Sequence, residues 1–167
     1  MPELVVPRAS VADSVRAAAA RPDWDAHPAY AGVAHLDDEG FEGWVGGLLA
    51  DTREGTPRPE GFVPSTNLWW VRGREYLGRV QVRHRLTPRL RDLGGHVGYW
   101  VVPQHRRRGH ATAMLAAVLP VVRDLGIECA LVTCDVGNVA SRRTIERNGG
   151  LFQDQRGQEA RFWVPTG

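Results

Sequence analysis

The sequence predicts an α/β protein of the α+β type, with a single mixed, mostly antiparallel sheet and helices on both faces. Three observations carry this. From Asn67 onward, "NLWWV", "EYLGRVQVRHRL" and "GGHVGYWVV" follow one another, each rich in β-branched and aromatic residues, as in an antiparallel meander. After them a helical run, an apolar strand, a short helix and two further strand-like segments alternate. Before them the chain holds helical runs and a proline-rich loop.

Taken in order, "SVADSVRAAAARPD" is the first helix. Ser10 is placed to cap it, the alanines propagate it and Pro22 stops it. "DEGFEGWVGGLLADTR" sets Phe41, Trp44, Val45, Leu48 and Leu49 at helical spacing despite four glycines. "EGTPRPEGFVPST" carries three prolines and is a loop. The first two strands are joined by an Arg-Gly turn. "RRRGHATAMLAAVLPVVRDLG" is a helix closed by Gly126, with Pro120 expected to kink or shorten it. "IECALVTCDV" is a buried strand, and "NVASRRTIERNGG" a short helix capped by Asn138 and closed by Gly149. "LFQDQ" and "ARFWVP" are the last two strands.

Composition narrows the class. At 167 residues, with 43% hydrophobic and 24% charged, the chain has ordinary globular values and the length of one domain. A net charge of +2 argues against a nucleic-acid partner, and nothing approaches the apolar run a membrane span needs. All 21 basic residues are arginine, so no lysine is present to form a Schiff base. Cys129 and Cys134 sit on opposite faces of one strand, roughly 16 Å apart, too far to bridge. With no signal-peptide pattern at the start, a cytoplasmic setting is the expectation.

The stretch "QHRRRGHATAML" places three arginines and a glycine at the entrance of a helix. Free N–H groups and the helix dipole there favour an anion, and arginines add fork-shaped, charge-assisted bonds. A solvated basic loop is the plain alternative. Neither the Walker pattern nor the dinucleotide glycine fingerprint is present.

"VVPQHRRRGHAT" resembles the acyl-CoA loop of the GNAT superfamily of N-acetyltransferases, patterned Gln/Arg-x-x-Gly-x-Gly/Ala. Arg106, Gly109 and Ala111 occupy its three specified positions. "CDVGNVASRRTIERNGG" resembles the superfamily's second cofactor-side motif. The resemblance runs from about Asn67 to Phe152 and is weak before that. It implies one N-acetyltransferase domain over residues 1–167, with acceptor-side helices and loop in 1–66, a cofactor core in 67–152 and C-terminal strands in 153–167. It also implies a splayed parallel strand pair at the cofactor site and acetyl-CoA as co-substrate, without a metal. Tyr99 and Val101 would offer backbone groups to the acetyl and pantetheine portion. Arg106, Arg107, Arg108, Gly109, His110, Ala111 and Thr112 would hold the pyrophosphate. Asn138 and Ser141 would reach the pantetheine arm.

The implied reaction is direct acetyl transfer to a primary amine of a small molecule, aminoglycoside-like or a metabolite. A protein or peptide amine, or a non-catalytic acyl-CoA sensor, are the alternatives. His96 is the first candidate for the base and His84 the second; strict alternation puts His96 on the face opposite Tyr99 unless a bulge intervenes. Many such enzymes carry a tyrosine seven residues after the Asn to protonate the leaving thiolate. Ile145 stands there, which leaves Cys134, Tyr99 or a water for that step. Trp24, Tyr30 and Trp44 with Asp37, Asp38 and Glu39 either cradle a cationic amine or form a small core beside an acidic turn. The resemblance also allows a homodimer.

Overall fold

The computed structural model describes all 167 residues. Its strands are β1 (Glu3–Val5), β2 (Ser65–Arg72), β3 (Glu75–Arg83), β4 (Val97–Val101), β5 (Cys129–Asp135), β6 (Leu151–Arg156) and β7 (Glu159–Pro165). The helices are α1 (Ala12–Ala19), α2 (Asp38–Ala50), α3 (Pro88–Asp92), α4 (His110–Asp124) and α5 (Val139–Arg147). The expected meander is present as β2–β3–β4, with β1 added beside β2. The second half of the sheet is ordered β5–β7–β6, and all pairings within each half are antiparallel.

Each strand's alternation feeds two cores. Leu68, Trp70, Val80, Val82, Val97 and Val101 pack with α4, β5 and β7 on one face. Trp69, Val71 and Tyr76 pack with α1 and α2 on the other. The register shifts between Trp70 and Val71, leaving Leu77 without a partner on β2, and at the adjacent Gly78 any side chain would collide with the Trp100 carbonyl of β4.

Several local expectations are corrected. Ser10 does not cap the first helix: a 3-10 turn over Ala9–Val11 precedes α1, and no side chain bonds its start. Asp37 caps α2 by accepting from Gly40 N–H. Pro120 does not shorten α4, which runs on to Asp124. Pro120 lies on the exposed side of the helix. Strand β1 and helix α3 have only three and five residues, too short for periodicity to reveal.

The two halves of the sheet meet at one place. His96 N–H donates to the Leu131 carbonyl at 2.7 Å, while the His96 carbonyl accepts from Arg83 N–H at 2.7 Å on the opposite side. In a regular strand both groups of one residue face the same neighbour. The backbone is therefore twisted at His96, next to Gly95 with φ 58°. Gly95 is required here, because a side chain would collide with the Leu131 carbonyl. Beyond this point the edges of β4 and β5 separate.

Candidate active site

The bonds of Arg83 with His96 and of Val102 with Leu77 set the phase of the β3–β4 ladder. Alternation then turns the N–H and C=O of Val97, Tyr99 and Val101 away from β3, toward the opening. By the same logic Leu131 and Thr133 of β5 face the opening from the other side. The cleft between the strands is lined by Arg83, Gly94, Val97, Gly98, Tyr99, Thr133, Cys134, Asn138 and Ser141. An extended chain with amide groups could add here as a strand.

At the end of β4 the chain enters the arginine turn. Arg107 is the sole non-glycine residue with positive φ, at 60°, and Gly109 follows at 79° as the N-cap of α4. The left-handed residues curl the backbone so that successive amides converge. The N–H groups of Arg107 through Thr112 bond no protein acceptor, and the first α4 bond is Ala113 N–H to Gly109 O at 3.0 Å. Six donors and a helix dipole thus meet where anions bind. Arg107 and Arg108 are exposed beside them. Arg106 is directed back: its Nε donates to the Val101 carbonyl at 3.0 Å, and its guanidinium lies over Trp100. His110 accepts from Trp70 Nε1 at 3.2 Å, so its ring belongs to the packing and its main chain to the turn.

Helix α5 closes the cleft. Asn138 Oδ1 accepts from Ser141 N–H at 3.0 Å, the expected cap. Ser141 Oγ lies 2.6 Å from the Tyr99 hydroxyl, bridging β4 to α5. Burial pushes the Tyr99 phenol up to about 12, so it stays protonated. Cys134 is buried beside them, its thiol raised chiefly by burial, which makes it a poor source of thiolate. Thr112 faces α5, where Asn148 Nδ2 donates to both the Thr112 and Thr144 carbonyls. Ile145 is fully buried in the core, so its position presents no side chain to the cleft.

The histidines are placed differently from the roles expected of them. His96 Nδ1 accepts from Leu131 N–H at 2.9 Å, which leaves the proton on Nε2 and no free lone pair for a base. Burial, then Arg91 and Arg83, lowers its pKa to about 4. His84 Nε2 lies 2.8 Å from Thr66 Oγ1, outside the cleft. The proposed cradle is also absent. Trp24, Tyr30 and Trp44 pack into the α1–α2 core, Asp37 caps a helix and exposed Asp38 pairs with half-buried Arg16. Aromatic rings at helical spacing were core, the commoner outcome.

On the face away from α4 lies a second groove that shares Arg83 and Gly94 with the cleft. Gln81 and His27 line it together with Phe62, Val63, Arg89, Leu90 and Leu93. The repeat "RVQVR" (Arg79 to Arg83) puts Arg79, Gln81 and Arg83 on this face and Val80 and Val82 in the core. That alternation was visible in the sequence as a polar stripe on an otherwise apolar strand.

The two histidines whose pKa is most depressed make stability acid-sensitive. His27 is lowered to about 4 by burial and then Arg79, and His96 to about 4. The unfolded chain holds these histidines near the ordinary value of about 6.5, so below it the unfolded state binds more protons. Stability is full above that pH and falls as the pH drops toward 4. Melting temperatures across this window are expected to show the fall, with a shallower slope in a His27→Gln/His96→Gln variant. An equal slope in that variant would refute the assignment.

A strand pair that opens beside a helix start with unbonded N–H groups is a geometry able to take an extended, anionic ligand. The acetyltransferase (GNAT) domain model matches residues 4–150, and the chain belongs to this family of acetyltransferases. No curated protein matches it by sequence. Among solved structures it is similar to the microcin C7 self-immunity acetyltransferase MccE in complex with acetyl-CoA and AMP. That match has 14% identity, TM-score 0.64, and covers 98% of this chain and 92% of the other. A spermidine N-acetyltransferase SpeG chimera from Vibrio cholerae and hSSAT matches with 12% identity and TM-score 0.63, covering 99% and 95%. Mycobacterium smegmatis RimJ in complex with CoA-disulfide matches with 17% identity and TM-score 0.64, covering 98% and 80%. At these identities the likeness is one of fold. No helix is long and apolar enough to cross a membrane.

Proposed function

We propose that this chain moves an acetyl group from acetyl-CoA directly to a primary amine of a small molecule. The observation that carries the reading is the run of unbonded N–H groups from Arg107 to Thr112, leading into the open edges of β4 and β5. Acetyl-CoA fits that donor set, with its pyrophosphate toward the turn and its pantetheine amides toward Tyr99, Val101 and Thr133. Complexes of MccE with acetyl-CoA and of RimJ with CoA-disulfide on the same fold support it.

Acetyl-CoA supplies the thioester carbonyl, and the chain supplies the rest. The Tyr99 N–H, turned into the cleft, is the donor for the developing oxyanion. The Tyr99 hydroxyl, held by Ser141, gives its hydrogen bond to the departing sulfur in place of the tyrosine that Ile145 replaces. No carboxylate lines the cleft or the groove, and the His27 Nδ1 that faces the groove's edge already accepts from Ala29 N–H. The amine therefore enters in its neutral form.

Calorimetric titration with acetyl-CoA tests the reading: saturable binding at micromolar concentrations is expected, and none at millimolar concentrations would refute it. Tyr99→Phe is expected to lower kcat about 10- to 100-fold with little change in the KM for acetyl-CoA. An unchanged kcat would confine Tyr99 to packing.

A further inference from the structure

Arginines inside this protein are matched to carboxylates, with one exception. Arg58 meets Asp51, Arg79 meets Asp25 and Arg161 meets Asp154, in each case with little of the guanidinium exposed. Arg83 is also drawn into the structure, and no acidic side chain is within ion-pairing distance of it. Its Nη1 donates to the Gly94 and Gly95 carbonyls at 2.9 and 3.2 Å. Nη2 and Nε have no protein acceptor and stay open to the groove and cleft, and Nη2 lies over Gly98, where an added Cβ would stand 3.5 Å away. Removing a guanidinium from water without a counter-charge is costly. Burial, and then repulsion from Arg79, lowers its pKa to about 10.

The surroundings sharpen the imbalance. Arg89 of α3 reaches the same groove and has no acidic partner either. None of the groove's lining residues is an Asp or Glu. Gln81, 5% exposed, has its Oε1 buried, with the neighbouring His27 ring N–H as its one protein partner and no strictly aligned hydrogen bond. The groove encloses about 260 Å³, below the range of roughly 300–1,000 Å³ for drug-sized ligands, so it suits a group about the size of an amino acid. Phe62, Val63, Leu90 and Leu93 give it an apolar wall.

We infer that the groove binds an acceptor whose reacting amine lies close to an oxyanion, a carboxylate or a phosphate, with Arg83 and Arg89 on the oxyanion. The inference rests on the transferase reading and adds the acceptor's charge. The anion completes the pairing that Arg83 lacks, while a polyamine or aminoglycoside would bring more positive charge to two unpaired arginines. The groove shares Arg83 and Gly94 with the cleft, so an acceptor held there is next to the acetyl site.

The test is acetylation of matched acceptors by the intact protein at saturating acetyl-CoA. Leucine is compared with leucinamide and isopentylamine, O-phosphoethanolamine with ethanolamine, and spermidine serves as the polycation. A kcat/KM at least 10-fold higher for leucine than for its two uncharged-tail analogues supports the inference with a carboxylate. The same preference for O-phosphoethanolamine over ethanolamine supports it with a phosphate. Arg89→Gln, on an exposed helix, is expected to cut that preference about tenfold while leaving the KM for acetyl-CoA unchanged. Arg83→Lys keeps the charge without the fork and is expected to raise the acceptor KM. Equal or better use of leucinamide, the plain amines or spermidine overturns the inference and leaves the transferase standing. No turnover with any acceptor overturns it too, and overturns the transferase reading as well if acetyl-CoA fails to bind.

Discussion

Arg108→Glu is expected to weaken acetyl-CoA binding about 100-fold and to leave the melting temperature unchanged. Arg108 is exposed and forms no ion pair, so the fold has no use for its charge. It stands immediately before Gly109, where the amides of the α4 start are unbonded. A charge-assisted hydrogen bond contributes about 1.5–3 kcal/mol, and reversing the charge adds repulsion to that loss. Arg107→Gly is the companion variant. Gly adopts φ 60° without strain, so this change removes charge while relieving the backbone. Its binding is expected to fall and its stability to hold or rise. Calorimetry with acetyl-CoA beside thermal melting separates the two effects. Wild-type affinity in both variants would make the turn an ordinary solvated loop.

The largest loss of stability is expected from Asp25→Ala. Asp25 and Arg79 are each 6% exposed, and their side chains form a two-point ion pair in which Arg79 Nη2 donates to Asp25 Oδ1 at 3.0 Å. Asp25 also accepts from His27 N–H, and Arg79 stacks over the Tyr30 ring at 4.8 Å. Without Asp25 the guanidinium remains buried and unmatched. Breaking such a pair from one side costs about 3–5 kcal/mol. In a chain of this size that lowers the melting temperature by roughly 10 °C. An Asp25→Leu/Arg79→Met variant is expected to recover most of the loss, because it removes both charges together. If Asp25→Ala melts like the wild type, the pair is dispensable.

These two predictions draw on different parts of what the sequence disclosed. The arginine turn was legible because its information is local: a glycine cap, flanking cations and a helix behind them occupy one short stretch, and the cap of α5 by Asn138 was legible for the same reason. The Asp25–Arg79 pair joins residues 54 apart in the chain, and no spacing rule reaches that far. His96 shows the limit most directly. The residue type suited a base, provided a bulge interrupted the alternation of the strand. The same twist of the backbone, however, engages its Nδ1 with Leu131, on a strand that follows only after α4. Ser10 had the composition of a cap without the geometry of one.

By itself the sequence determined the order of the longer strands and helices, the antiparallel meander from Asn67 onward, and the glycine-capped arginine turn at the start of α4. Each of these follows from periodicity or from the conformational limits of neighbouring residues. Only the tertiary structure decided which polar groups are satisfied and which are left open. Hydrogen-bond partners and counter-charges come from residues that are neighbours in space alone, and burial makes their presence or absence decisive. That is why His96 turned out to be engaged, Ile145 enclosed and Arg83 without a partner.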